Sequence, residues 1–309
     1  MYQADKTGRH HGGSDSWRWI IGAVASLAVL AVSYLLAVWT VAGQNLENAA
    51  LRGADQVASD EAAIADETLG HITVASLGVA VAVVATIALV RRRVDLAIAG
   101  VGVIVLGQVI TQSLKRFLLP RPPLVDVVGD FTGNSFPSGH TTIALTVLFA
   151  LIIVVPYRWR GLSLMLALVW AIGIGAYTVT AKWHRFSDTL GAAAVALLCA
   201  CLASWWLSRR GKVFEHTGRI YRGRVFLTVF LVAATAIPLL AGALLWGVPA
   251  WEGIDIAQMD PVLDYTAYLG AHSLAAGFSG LAALVFLGLW RRRRTDPTRL
   301  DETPRVKPL

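Results

Sequence analysis

The chain has 309 residues, 56% of them hydrophobic and 15% charged, with a mean hydropathy of +0.60 and a net charge of +7. This is too apolar for an ordinary water-soluble domain. The positive charge alternates with apolar runs along the chain, so it reports membrane topology and not a nucleic-acid partner.

Eight mostly apolar runs follow one another, at 19–42, 72–90, 94–114, 137–156, 162–181, 188–208, 225–247 and 266–290. Each is long enough to cross a hydrocarbon core of ~30 Å. The runs are continuous and lack a period-two alternation, which argues for helices and against a barrel. The predicted fold class is an all-α polytopic membrane bundle. The first run is too long for a typical signal-peptide core and is expected to remain as a first span. Ten of the eleven tryptophans lie near run ends, as an interfacial belt requires, with Trp170 the exception.

All but six of the 27 Lys and Arg residues fall before the first run, at 91–93, 158–160 and 209–224, and in the tail from 291. By the positive-inside rule these segments are cytoplasmic, and both termini with them. The other six are Arg52, Lys115, Arg116, Arg121, Lys182 and Arg185. Five of those stand within a few residues of a helix mouth on the opposite, extracytoplasmic side. Positive charge gathered there calls for an anionic ligand.

In chain order, residues 1–16 read as a polar cytoplasmic tail whose His10-His11 pair is not expected to bind metal. The acidic segment 44–70, with Glu47, Asp55, Asp60, Glu61, Asp66 and Glu67, reads as a solvated face that matches no calcium loop. Lys115 to Pro123 closes the third run, where prolines stop the helix. Asn134-Ser135-Phe136-Pro137-Ser138-Gly139-His140 opens the fourth. Pro137 suits a first helical turn, Ser138 offers a hydroxyl, and Gly139 admits a ligand to the backbone. The free N–H groups of that turn favour an anion, and His140 adds a proton-exchanging group.

The fifth run leads to Lys182-Trp183-His184-Arg185-Phe186-Ser187-Asp188. On a helical turn, His184 and Asp188 share a face, so Asp188 can hold one imidazole nitrogen and leave the other nucleophilic. Cys199 and Cys201 lie inside a span, on different faces, and are not expected to pair. Residues 209–224 form a basic cytoplasmic linker. Spans over 225–290 form a further helical pair, with Pro238 expected to kink the seventh. Ser273, Ala276, Gly277 and Gly280 permit close packing in the eighth. His272 is expected to be a neutral, hydrogen-bonded histidine. Residues 291–309 read as a second cytoplasmic tail.

Pro-Ser-Gly-His at 137–140, the preceding Lys115…Arg121-Pro122 and the following His184-x3-Asp188, each at a span end, resemble the type 2 phosphatidic acid phosphatase (PAP2) superfamily. The resemblance covers roughly residues 19–208. It implies a six-helix catalytic core at 17–208, so that 225–290 adds two C-terminal helices. It also implies that Lys115, Arg121, Ser138 and Gly139 bind the substrate phosphate. His140 is then the general acid, His184 the nucleophile that becomes a phosphohistidine, and Asp188 its orienting partner, with no metal and no cofactor.

Two departures stand out. Five residues separate Lys115 from Arg121 where the family pattern has six, so Arg116 is a candidate to share the first role. Thr178 stands where the third motif carries an arginine, so Lys182 or Arg185 is a candidate replacement.

The implied function is a membrane lipid phosphatase acting on a polyprenyl diphosphate, phosphatidate or phosphatidylglycerophosphate at the extracytoplasmic face. The partners implied are a lipid phosphate and the bilayer, with no nucleic acid; oligomeric state has no signature in the sequence. The alternatives are a lipid phosphotransferase using the same histidines and aspartate, and a non-catalytic lipid-binding or transport scaffold.

Overall fold

A computed structural model of the chain describes residues 16–126, 134–216 and 222–296. The histidine pair at 10–11, the rest of both tails and residues 217–221 of the basic linker lie outside the described residues.

The described residues are almost wholly helical. The helices are α1 (Trp17–Val38), α2 (Val41–Ala54), α3 (Ser59–Gly70), α4 (Val74–Val90), α5 (Val94–Ser113), α6 (Gly139–Val154), α7 (Arg160–Thr180), α8 (Phe186–Arg209), α9 (Arg222–Glu252) and α10 (Pro261–Leu289). α5 continues into a π-helical turn, Leu114–Leu118. Among the described residues there is one strand pair, Phe214–Glu215 with Arg293–Arg294, and it is antiparallel. Local sequence sets several starts. Thr73 and Ser76 form a reciprocal capping box at α4, and Asp260 caps α10 ahead of Pro261 at its first turn.

Among the described residues, six helices are long and apolar enough to cross a bilayer: α1, α5 with its π turn, α7, α8, Phe226–Pro249 of α9, and α10. α3 and α4 together would make a seventh span, bent by 60° between them. The chain is thus a multi-pass, all-α membrane bundle. Two of the eight expected spans are shorter than expected: α4 has 17 residues and α6 has 16. α6 compensates by position. It is enclosed by α4, α5, α7, α8 and α10, so protein and not lipid covers most of its length. Exposed apolar sides run along α1, α4, α5, α7 and α9, where Leu36, Val79, Val109, Leu166 and Leu240 are all more than half exposed.

The acidic segment 44–70 departs from the expectation of a solvated stretch. It folds into α2 and α3, and α2 packs along α10. Asp60, Glu61 and Glu67 are exposed, but Glu47 is 3% exposed. Arg52 of α2 makes a bidentate pair with Asp264 of α10, at 2.8 and 2.7 Å.

α10 also packs on α9, α7 and α8. A Cβ on Gly277 would come within 2.7 Å of Leu239, and one on Gly280 within 2.5 Å of Thr235. The small residues of α10 are therefore what lets α9 approach. Pro238 lies inside an uninterrupted α9. Cys199 and Cys201 are free and buried. His272 is hydrogen-bonded, its Nδ1 lying 3.1 Å from the Thr180 hydroxyl.

Candidate active site

The site is built where α6 and α8 begin. Ser138 is the N-cap of α6, and its Oγ accepts the Thr141 N–H at 3.3 Å. Pro137 precedes that cap, joined to Phe136 by a cis peptide bond, so it does not occupy the first helical turn as expected. The expectation failed by two residues, because Ser138 supplies a better cap than proline supplies a start. Asn134 fastens the loop ahead of the cap. Its amide donates to the Leu119 carbonyl at 2.6 Å and the Phe136 carbonyl at 3.1 Å, and its oxygen accepts the Phe136 N–H at 3.1 Å. The segment that follows Lys115 and the segment that carries Ser138 are thereby tied together. A Cβ on Gly139 would meet only the Gln112 amide, at 3.4 Å, so packing within the chain does not demand glycine there.

At α8, His184 lies before the helix and Asp188 lies in its first turn. The expected helical turn through both residues is absent. They meet because the Asp188 carboxylate reaches back over the helix start. Asp188 Oδ2 accepts the Arg185 N–H at 2.9 Å and stands 3.2 Å from His184 Nδ1. The backbone completes the arrangement. His184 N–H donates to the Thr178 carbonyl at 3.0 Å, and Ser138 N–H donates to the Asp188 carbonyl at 2.9 Å. The starts of α6 and α8 are thus joined directly. His140 faces His184 with ring centroids 6.4 Å apart and lies edge-on to Trp183 at 5.1 Å.

The cations sort into two groups. Arg185 is buried, donates from Nη1 to the Ser135 hydroxyl at 3.1 Å, and interacts electrostatically with Asp188, Arg121 and Glu47. Arg121 sits 3.5 Å from Glu47. Lys115 is partly buried and within electrostatic reach of Asp188, His184 and His140. Arg116, by contrast, is exposed. Lys182 pairs with Asp55 outside the pocket. Thr178, at the position of the family's arginine, is fully buried. Its hydroxyl donates to the Gly175 carbonyl at 2.8 Å and lies 3.3 Å from that of Thr189.

Glu47 belongs to this cluster and was not among the residues expected from sequence. Its Oε1 accepts the Ser187 N–H at 3.1 Å, and its other oxygen faces Arg121. Gln44 and Asn48, on the same face of α2, donate to the carbonyls of Pro122 and Asp126, each at 2.8 Å. α2 therefore brackets the segment that carries Arg121. The signal was present as polar residues at 44, 47 and 48, one helical face of a segment otherwise rich in small residues.

Burial pushes the Glu47 carboxyl above the usual carboxylate range. Asp188 adds to that, and Arg121 opposes it. Burial also pushes the His184 imidazole below its ordinary value, against the pull of Asp188, so the ring tends to be neutral. Several polar atoms here are buried without a hydrogen-bond partner among the described residues: Arg121 Nη1, Arg185 Nε, Ser187 Oγ and Asp188 Oδ1. Such unused capacity is costly in a finished core, and it suits a pocket that takes a polar ligand. Among the described residues, no group of three His, Cys, Asp or Glu side chains is placed to hold a metal ion.

A buried histidine held by a carboxylate, a half-buried second histidine, buried guanidinium groups and a capped helix start make an arrangement suited to transfer chemistry on an anion. Residues 96–212, from α5 into the segment after α8, match the family model of the PAP2 superfamily. This similarity points to phosphatase-type activity on phosphate esters. No curated protein and no solved structure matches the chain.

Proposed function

We propose that the chain is a lipid phosphatase of the cell membrane, cleaving a phosphomonoester or diphosphate of a lipid through a phosphohistidine on His184. The observation that carries this reading is the contact between His184 Nδ1 and Asp188. It fixes the tautomer with the proton on Nδ1 and leaves the Nε2 lone pair for phosphorus.

Arg121, Arg185 and Lys115 hold the phosphate oxygens, joined by the Ser138 hydroxyl and the N–H groups that start α6 at Gly139. Arg185 stands in for the arginine absent at Thr178. Nε2 of His184 attacks phosphorus as the bond to the leaving oxygen breaks. His140, protonated, gives its proton to that oxygen. A water then attacks phosphorus while His140 takes its proton, and the N–P bond electrons return to Nε2. Asp188 stabilises the positive charge that His184 carries in between. The chain's own cations and helix start supply the electrostatic stabilisation.

By charge distribution, the basic ends and both termini lie in the cytoplasm, and the site opens at the extracytoplasmic leaflet. A polyprenyl diphosphate is the favoured substrate, ahead of phosphatidate and phosphatidylglycerophosphate.

The test is phosphate release by purified protein in detergent with those three substrates in parallel, with and without EDTA, for the wild type and His184→Ala. Release that persists in EDTA and vanishes in the variant supports the reading, and the ranking of rates names the lipid. A folded wild type that releases no phosphate, or a His184→Ala variant that retains its rate, overturns it.

A further inference from the structure

Beside the phosphate site lies a largely apolar groove of about 540 Å³. α1 forms one wall with Val29 and Val32. The other is aromatic: Phe186 at the start of α8 contacts Trp246 of α9 and Phe278 of α10, each at 5.7 Å between ring centroids. The groove follows α1 from Ala37 to Ala28, a length of about 14 Å at the helical rise.

Its polar lining is sparse. Ser33 is committed to its own helix, donating to the Leu30 carbonyl at 3.0 Å. The others are Glu47 and Ser187, which hydrogen-bond to each other, and Glu47 faces Arg121 on its other side. The groove thus ends on the wall of the phosphate pocket, one side chain away from a phosphate-facing guanidinium. Of its lining residues, only Phe186, Ser187 and Leu190 fall within the segment that matches the PAP2 superfamily. The rest come from α1, α2 and the α9–α10 pair.

We propose that this groove holds the hydrocarbon chain of the substrate lipid while its phosphate occupies the pocket beyond Glu47. The α9–α10 pair then serves as the outer wall of a tail-binding site. The proposal rests on the lipid phosphatase reading above. An apolar groove whose polar end is Glu47 and Ser187, next to Arg121, matches an amphiphile with the anion at one end. An ordinary bilayer lipid has no reason to stop at Glu47 and Ser187. Val29 and Val32 are 42% and 52% exposed, so larger side chains there fill the groove without entering the core.

Two measurements test it. The first compares kcat/KM for long- and short-chain substrates, dioleoyl against dihexanoyl phosphatidate and geranylgeranyl against dimethylallyl diphosphate. Wild type is compared with the Val29→Trp/Val32→Trp variant. The long-to-short ratio should fall about tenfold, since displacing two methylenes from an apolar site costs that much. An unchanged ratio overturns the proposal.

The second does not depend on turnover. His184→Ala protein is photolabelled with a phosphatidate and a polyprenyl diphosphate that carry a diazirine in the tail. Label should map to α1 and α10 and be competed by the unlabelled lipid phosphate but not by phosphatidylcholine. Label elsewhere, or label displaced equally by phosphatidylcholine, identifies a bulk-lipid groove and overturns the proposal. Failure of hydrolysis with specific labelling would remove the phosphatase reading and keep the groove.

Discussion

The two ends of the bundle use arginine in opposite ways. At the end away from the site, Arg91 reaches the Val154 carbonyl and Asp296, while Arg93 grips Asp95 and the Thr295 carbonyl. Arg160 stacks over Trp290 at 4.8 Å and donates to the Arg293 carbonyl at 2.8 Å. These groups tie the segment after α10 to the bundle. At the site end, Arg121 and Arg185 are as deeply placed, yet Arg121 Nη1 and Arg185 Nε have no hydrogen-bond partner among the described residues. The far-end groups hold a chain segment in place, whereas the site-end groups face Glu47 and Ser135 beside two histidines. On the proposed reading, the same side chain serves the fold at one end and the ligand at the other.

That contrast can be broken by mutation, since site-end changes should cost activity with little stability, and far-end changes the reverse. His184→Ala is the largest expected effect, a loss of at least about 10⁴-fold in kcat with an unchanged thermal transition. Arg121→Ala and Arg185→Ala should each lose about 10²–10³-fold in kcat/KM. Retention of full rate by Arg185→Ala would leave Thr178 without a replacement.

Glu47→Gln should act in the other direction on ligand affinity. Gln44 and Asn48 still hold the Arg121 segment, so removing the charge strengthens the local positive field. Inorganic phosphate should then inhibit about five- to tenfold more tightly. Weaker inhibition would mean that Glu47 matters chiefly by orienting Arg121.

Arg93→Ala should lower the thermal midpoint, with about 1–3 kcal/mol lost, and change kcat/KM less than about twofold. The smallest effects belong to Lys182→Ala and Arg116→Ala, both outside the pocket, at about twofold or less. The pH profile sharpens the same contrast. The nucleophile works in its neutral form, and burial holds the His184 imidazole below its ordinary value. Activity limited by that group should therefore be sustained as pH falls past about 6.5 and decline only below it. An acid limb above that value would assign it to another group.

The spans were legible because apolar runs of bilayer length are a one-dimensional signal. The His-Ser-Asp-bearing helix starts were legible because caps and motifs are local. Three things were not. Glu47 enters the site through the packing of α2 on α10; the polar face at 44, 47 and 48 marks a helix side but not the element it meets. The meeting of His184 and Asp188 looked like a helical spacing and is instead a carboxylate folding back over a helix start. The exposure of Arg116, and the placing of Arg185 inside the cluster with Lys182 drawn off to Asp55, depend on packing between segments far apart in sequence.

The hydrogen bond from Ser138 N–H to the Asp188 carbonyl has a practical corollary. It joins two helix starts fifty residues apart, and with the Thr178–His184 bond it makes the pocket a product of helix docking and not of any one helix. A detergent that lets the helices drift while leaving each intact would silence turnover with the far-ultraviolet spectrum unaltered. Turnover, where it can be followed, is therefore a finer gauge of a well-chosen solubilising condition than helical content.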